Sequence, residues 1–200
     1  MSATSQSEPV VFSQLFEALV MHAMRGKFDP DAVRRLEAAG IDLSRPLLVA
    51  YPLTVWYDVV WICAQLLFPH LPRNEAMHAT GRKVAEGYSH TTMGKALFEG
   101  LRKMGWQRAL AQLARSLKTG GNFLSAQSHE LPNGDLEITL EILPEFVPAL
   151  ATHPGIDASF MRGFLDASAE FIRGPKSPHF ALMGTDPSSR RATFLLREKS

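Results

Sequence analysis

Apolar positions along this chain follow a helical spacing for its first 120 or so residues and a strand-like alternation in much of the remainder. Phe12, Leu15, Phe16, Leu19, Val20 and Ala23 recur three and four apart, which predicts a first helix ending near Gly26. Asp29-Pro30 reads as an N-cap with proline at the first helical position, opening a short helix through Val33, Leu36 and Ala39 that Gly40 closes. Residues 41–52 hold two prolines and are expected to form a packed loop. From Thr54, the residues Val55, Trp56, Val59, Val60, Ile62, Cys63, Leu66 and Leu67 cover too much of the circumference for a surface helix, so this one should be central. Asn74 is a candidate cap for the next helix, which carries Ala76, Met77, Val84 and Ala85 to a break at Gly87-Tyr88-Ser89-His90. Met93, Leu97, Leu101 and Met104 space another helix, and Trp106, Leu110, Leu113 and Leu117 one more, before Gly120-Gly121 ends the helical half.

Beyond that point Leu136, Ile138, Leu140 and Ile142 alternate with Glu137, Thr139 and Glu141, a strand with one wet face. Pro132-Asn133-Gly134-Asp135 ahead of it carries the Asn-Gly pair of tight hairpins, pairing this strand with residues 122–131. Residues 155–173 return to helical spacing through Ile156, Phe160, Phe164 and Phe171, and residues 179–184 and 192–197 flank Asp186-Pro187-Ser188-Ser189 as a second hairpin. The expected fold class is α+β: an N-terminal helical half, then a hairpin-helix-hairpin (ββαββ) sheet packed on the helices. Residues 1–9, small and polar, form a disordered tail in this reading, and residues 10–200 a single domain.

Composition adds bounds. With 46% hydrophobic and 20% charged residues the chain should fold by itself, and 21 basic against 20 acidic side chains leave no overall field to attract nucleic acid or an anionic membrane. The apolar run over residues 55–68 is interrupted by Asp58 and Gln65 and closed by Pro69, so it reads as a core helix and not a membrane span. A lone cysteine, Cys63, and an N-terminus without a signal-peptide pattern point to the cytoplasm.

Motifs for chemistry are sparse. Six residues lie between Gly87 and Gly94-Lys95 where a phosphate loop has four, and Ala96 follows where that loop needs Ser or Thr. No two histidines fall at the i, i+4 spacing of a helical metal pair, so no metal is assigned. Cys63 sits in an apolar run and reads as packing, and Glu137 and Glu141 as solvated strand residues. No nucleophile elbow appears; an enzyme would need convergent groups around His90, such as Thr91 or Tyr88. Arg102, Lys103, Arg108, Arg115 and Lys118 form a basic interval that could meet phosphates, but such residues usually just solvate a helix, and the reading goes against nucleic acid. Trp56, Trp61, Tyr88, Phe160 and Phe164, with His90 and Thr91 at the central break, could instead line an apolar pocket for a small molecule, although aromatic residues at helical spacing more often simply fill a core. No cofactor is identified: His90 could ligate a haem iron, but no partner motif accompanies it, which leaves haem possible but disfavoured.

Gly40-Ile41-Asp42-Leu43, Pro46, Tyr51-Pro52, Trp56, Phe68-Pro69, Gly81-Arg82, Gly87-Tyr88, Thr91, Gly94-Lys95-Ala96-Leu97, Arg108 and the stretch from Gly120 resemble a domain-of-unknown-function family expanded as paralogues in myxobacteria, over about residues 11–197. At the level of architecture, the order of elements is similar to small-molecule sensing domains related to four-vinyl reductase and to haem-based nitric oxide sensors. Those haem sensors carry a Tyr-x-Ser-x-Arg motif that nothing here matches, so the resemblance implies a ligand pocket without implying haem. The expected function is a non-enzymatic regulatory domain binding a small, largely apolar ligand between helices and sheet. The alternative is an interaction or scaffold module, which could be homodimeric, without a ligand.

Overall fold

Residues 8–150, 156–186 and 190–197 are described by the computed structural model. The first predicted helix divides into three parts. Val10–Phe12 is a strand, β1, antiparallel to β2, Ala50–Pro52, with Val11 opposite Tyr51. Ser13–Phe16 is α1, and it runs directly into a π-helical segment, Glu17–Ala23. Phe12 and the end of the expected 41–52 loop are therefore strand. A three-residue strand is too short for alternation to register, and only its partner some forty residues away makes it visible. Glu8 and Pro9 are tied to the fold: the Pro9 carbonyl accepts from the Leu53 N–H and the Glu8 carbonyl from the Asn122 amide. Residues 1–7 lie outside the described residues.

Pro30–Ala38 forms α2, capped as expected by the Asp29 carboxylate accepting from the Ala32 N–H. Leu53–Leu67 forms α3, which buries Trp56, Val59, Val60, Ile62, Cys63 and Ala64. Arg73–His90 forms α4, with Pro72 and not Asn74 in the capping position. The predicted break at residues 87–90 does not occur, and α4 continues through it to His90. Gly87 is there for closeness: a Cβ at this position would run into the Ala18 carbonyl of the π-helical segment. The chain turns one residue later, at Thr91, whose hydroxyl accepts from the Gly94 N–H and caps α5, Thr92–Arg102. Trp106–Leu117 forms α6.

The second half follows the expected ββαββ order. β3, Leu124–Glu130, pairs antiparallel with β4, Leu136–Ile142, across a turn in which Gly134 takes a φ of +84°. In β4 the residues Leu136, Ile138, Leu140 and Ile142 are buried while the three between them are partly exposed. α7, Ala158–Arg173, starts at Asp157, whose carboxylate accepts from the Phe160 N–H. β5, Phe180–Asp186, and β6, Arg191–Leu196, complete a sheet in the order β3-β4-β6-β5, antiparallel throughout. The predicted turn at residues 187–189 lies outside the described residues, as does Gly155. α6 runs against β3 and α7 against β5, so the sheet packs on helices.

α4 and α7 form the tightest helix pair, because each places a glycine where the other's backbone passes. A Cβ on Gly81 would meet the Phe160 carbonyl, and one on Gly163 the His78 carbonyl. Beside this crossing two polar rungs join the helices, His78 Nε2 to Asp166 at 3.0 Å and Arg82 to Glu170 at 2.7 Å. No helix among the described residues is long and apolar enough to cross a membrane.

Candidate ligand cavity

The close approach of α4 and α7 sets the position of two adjoining cavities at their sides. The larger, about 90 Å³, is enclosed by Val11 and Leu15 of the N-terminal segment, Trp56 of α3, Val84 and Tyr88 of α4, Leu113 and Leu117 of α6, and Phe160, Met161 and Phe164 of α7, with Phe123 and Leu124 at the start of β3. The smaller, about 80 Å³, adds Tyr57, Val60, Trp61, Arg73 and Met77. Trp56, Phe123, Leu124, Phe160 and Met161 border both. The space therefore lies among α3, α4, α6 and α7 and the start of β3.

Aromatic packing holds these walls. Phe16 contacts Tyr51 at 4.5 Å and Trp56 at 5.0 Å between ring centroids, and Trp56 meets Phe160 edge-on at 6.1 Å. Trp61 is braced by the Arg73 guanidinium, 4.4 Å from its ring centroid. The polar residues at the larger cavity are mostly committed: the Gln14 amide donates to the Thr119 carbonyl, and the Ser116 hydroxyl to the Leu113 carbonyl. Tyr88 differs. Its hydroxyl has no hydrogen-bond partner among the described residues, and burial raises its pKa, which keeps the phenol neutral and able to donate.

Five of the residues singled out from sequence, Trp56, Trp61, Tyr88, Phe160 and Phe164, thus line the cavities. Two do not. His90 is exposed at the end of α4, its ring 6.0 Å from that of His22, and the Thr91 hydroxyl is engaged with the Tyr88 carbonyl and the Gly94 N–H. Both would reach the site only if residues 87–90 formed a loop; the continuing helix carries His90 to the outside. Met161, Phe123 and Leu124 escape sequence reasoning, being single apolar residues whose signal is the same as that of any core position. Of the basic interval, Arg102, Lys103, Arg108, Arg115 and Lys118 are all exposed, with Arg102 donating to the Phe171 carbonyl and Arg115 to the Gln112 side chain. Cys63 is buried and its thiol is pushed up to about 12 by desolvation, which fits packing and not nucleophilic chemistry. Among the described residues no three His, Cys, Asp or Glu side chains cluster as metal ligands.

Solved structures share this architecture. An H-NOX protein from S. oneidensis in the Fe(II)NO ligation state superposes with a TM-score of 0.63 at 11% identity, covering 94% of this chain and 99% of that one. A second, described under "Structural insights into the molecular mechanism of H-NOX activation", gives 0.60 at 13% identity, with 95% and 97% covered. A third, described under "Modulating Heme Redox Potential Through Protein-Induced Porphyrin Distortion", gives 0.64 at 11%, with 94% and 99% covered. At such identities the likeness establishes the fold, and the architectural resemblance read from the sequence holds.

These neighbours correct the expectation that disfavoured haem, since several of them are described by haem or its iron. The group has then to be tested on this chain's own side chains. Tyr88 and Met161 belong to types that ligate haem iron, but no histidine or cysteine borders either cavity. A space of about 90 Å³ is also well short of the roughly 300 Å³ and upward of pockets that hold cofactor-sized ligands. As placed, these residues do not fit a haem, and no step below is routed through one.

No curated protein matches the chain in sequence. A family profile described as "Protein of unknown function (DUF2378)" matches residues 9–156, from β1 to the approach to α7. With about three quarters of its length matched, the chain belongs to that family.

Proposed function

We propose that this protein is a sensory domain that takes a small, largely apolar molecule into the cavity beside Trp56 and Phe160 and relays its presence through α7. The observation that carries this reading is the combination of apolar walls with an uncommitted polar group, the Tyr88 hydroxyl. Fold-level likeness to H-NOX proteins supports a sensory role by analogy. The cavity as it stands suits something smaller than benzene, whose engineered host cavity is about 150 Å³. A larger guest needs Phe160 and Met161, which border both spaces, to move and join them. Both residues ride on α7, so accommodation of a guest and displacement of α7 are one event. The single buried thiol of Cys63 accords with a reducing compartment, the cytoplasm.

The test is the native mass and the visible absorption of the purified protein against the denatured polypeptide. Extra mass that falls in Tyr88→Phe and Phe164→Ala variants, both still folded by circular dichroism, supports the cavity as the site. A Soret band would replace the metal-free guest with haem, and a bare polypeptide mass would favour the second reading, an interaction module without ligand. The surface feature behind that second reading is the exposure of β5.

A further inference from the structure

β5 is the edge strand of the four-stranded sheet, and every residue of it after Phe180 is exposed, including Leu182 at 39% and Met183 at 55%. In an antiparallel strand the N–H and C=O of a residue point to the same side and the sides alternate. The Phe180 N–H is turned away from β6 and donates to the Asp166 carboxylate at 2.7 Å. Leu182, two residues on and just ahead of the register shift between Leu182 and Gly184, turns its backbone groups the same way, away from β6. An apolar, open edge of this kind is a template for another strand.

Immediately before this edge lies an open groove of about 810 Å³, lined by Lys176, His179 and Arg197 together with Pro175, Pro178 and Leu195, with no carboxylate among its lining residues. His179 does reach toward Asp166, at 3.8 Å, but its side chain stays 64% exposed. Ala181 of β5 lines the groove, and Pro178 and His179 lead from the groove into the strand, so one extended ligand would occupy both. We propose that β5 and this groove together bind an extended, acidic segment of a partner protein, which adds as a fifth strand on β5 and sets its carboxylates against Lys176, His179 and Arg197. The positive charge of the groove favours an acidic segment over a second copy of this chain, whose β5 offers it a single carboxylate, Asp186. Backbone pairing supplies the affinity and the groove the choice of sequence. This inference concerns a surface remote from the ligand cavity and stands or falls separately from it.

The test uses a fluorescein-labelled ten-residue peptide of alternating glutamate and threonine, and a second peptide of the same charge with proline at alternate positions, in anisotropy titrations against the full chain. Tighter binding of the first peptide, by tenfold or more, is expected. Leu182→Pro removes only the outward N–H, leaving the ladder to β6, and is expected to abolish that difference in a folded protein. Lys176→Glu with Arg197→Glu should weaken the alternating peptide by at least tenfold while leaving the melting temperature unchanged. Equal binding of the two peptides, absence of binding, or affinity unaffected by Leu182→Pro overturns the proposal. So does tighter binding of a single-stranded oligonucleotide that ignores Leu182→Pro, which would make the groove a phosphate site.

Discussion

Single atoms decide much at the α4–α7 crossing. Gly81→Ala places a methyl group against the Phe160 carbonyl, and the two helices must part to admit it. Overpacking of this kind typically costs about 1–3 kcal/mol, so the urea midpoint of Gly81→Ala should fall clearly, whereas Gly100→Ala, with open space around it, should be neutral or slightly stabilising. Cys63 makes a second residue-scale prediction. Its thiol titrates near 9.0 when solvated and near 12 in the fold, so the unfolded chain loses its proton first as pH rises. Stability is then fully present below about pH 9 and declines up to about pH 12, by up to about 1.4 kcal/mol per pH unit for this group. Tyr57 and Tyr88, also raised by burial, add to the decline. Urea titrations between pH 8 and 10.5 on the wild type and Cys63→Ala should show a shallower slope in the variant; identical slopes would mean that the thiol is solvated.

At the scale of elements, the two rungs between α4 and α7 differ in worth although they look alike. Glu170 and Arg82 are partly exposed, and their pair should contribute no more than about 1 kcal/mol. Asp166 is almost fully buried and serves two elements at once, accepting from His78 on α4 and from the Phe180 N–H at the start of β5. Asp166→Ala leaves that buried N–H without an acceptor, a loss of about 1–3 kcal/mol before the His78 contact is counted. Asp166→Ala should therefore lower the denaturation midpoint several times more than Glu170→Ala. The caps and alternations that define these elements were legible in the sequence: Asp29 ahead of Pro30, the Asn-Gly turn, and the leucine and isoleucine ladder of β4. The strand pair β1-β2 and the uninterrupted course of α4 through Gly87 were not, because each depends on a segment distant in the chain.

For the whole molecule, α7 links three features: Phe160 and Phe164 at the cavity, Asp166 beneath the first residue of β5, and Arg173 at the basic groove. If a guest displaces α7, the displacement is felt at the edge strand, and by linkage a segment bound on β5 would alter the affinity for the guest by the same factor. Hydrogen exchange on the protein with and without its co-purified guest should show altered protection at Phe180, whose N–H rests on Asp166; protection changes confined to residues 84–124 would mean that α7 does not relay binding. A guest that binds only the folded state at 100 times its dissociation constant adds about 2.7 kcal/mol, so stripping it should also lower the melting temperature.

The sequence by itself determined the class of the fold, the order of its longer helices and of the four strands of the main sheet, and the aromatic residues that gather near α3, α4 and α7, since periodicity, capping and turn chemistry are local and act within a few residues. It also disclosed that Trp56, Trp61, Tyr88, Phe160 and Phe164 belong together, because bulky aromatic residues at helical spacing must share a core. Only the tertiary structure decided that these side chains leave space between them, that His90 faces outward and Thr91 caps a helix, and that β5 ends the sheet uncovered. Cavities, helix rotation and sheet edges arise from how distant segments meet, and no local pattern of residues encodes that meeting.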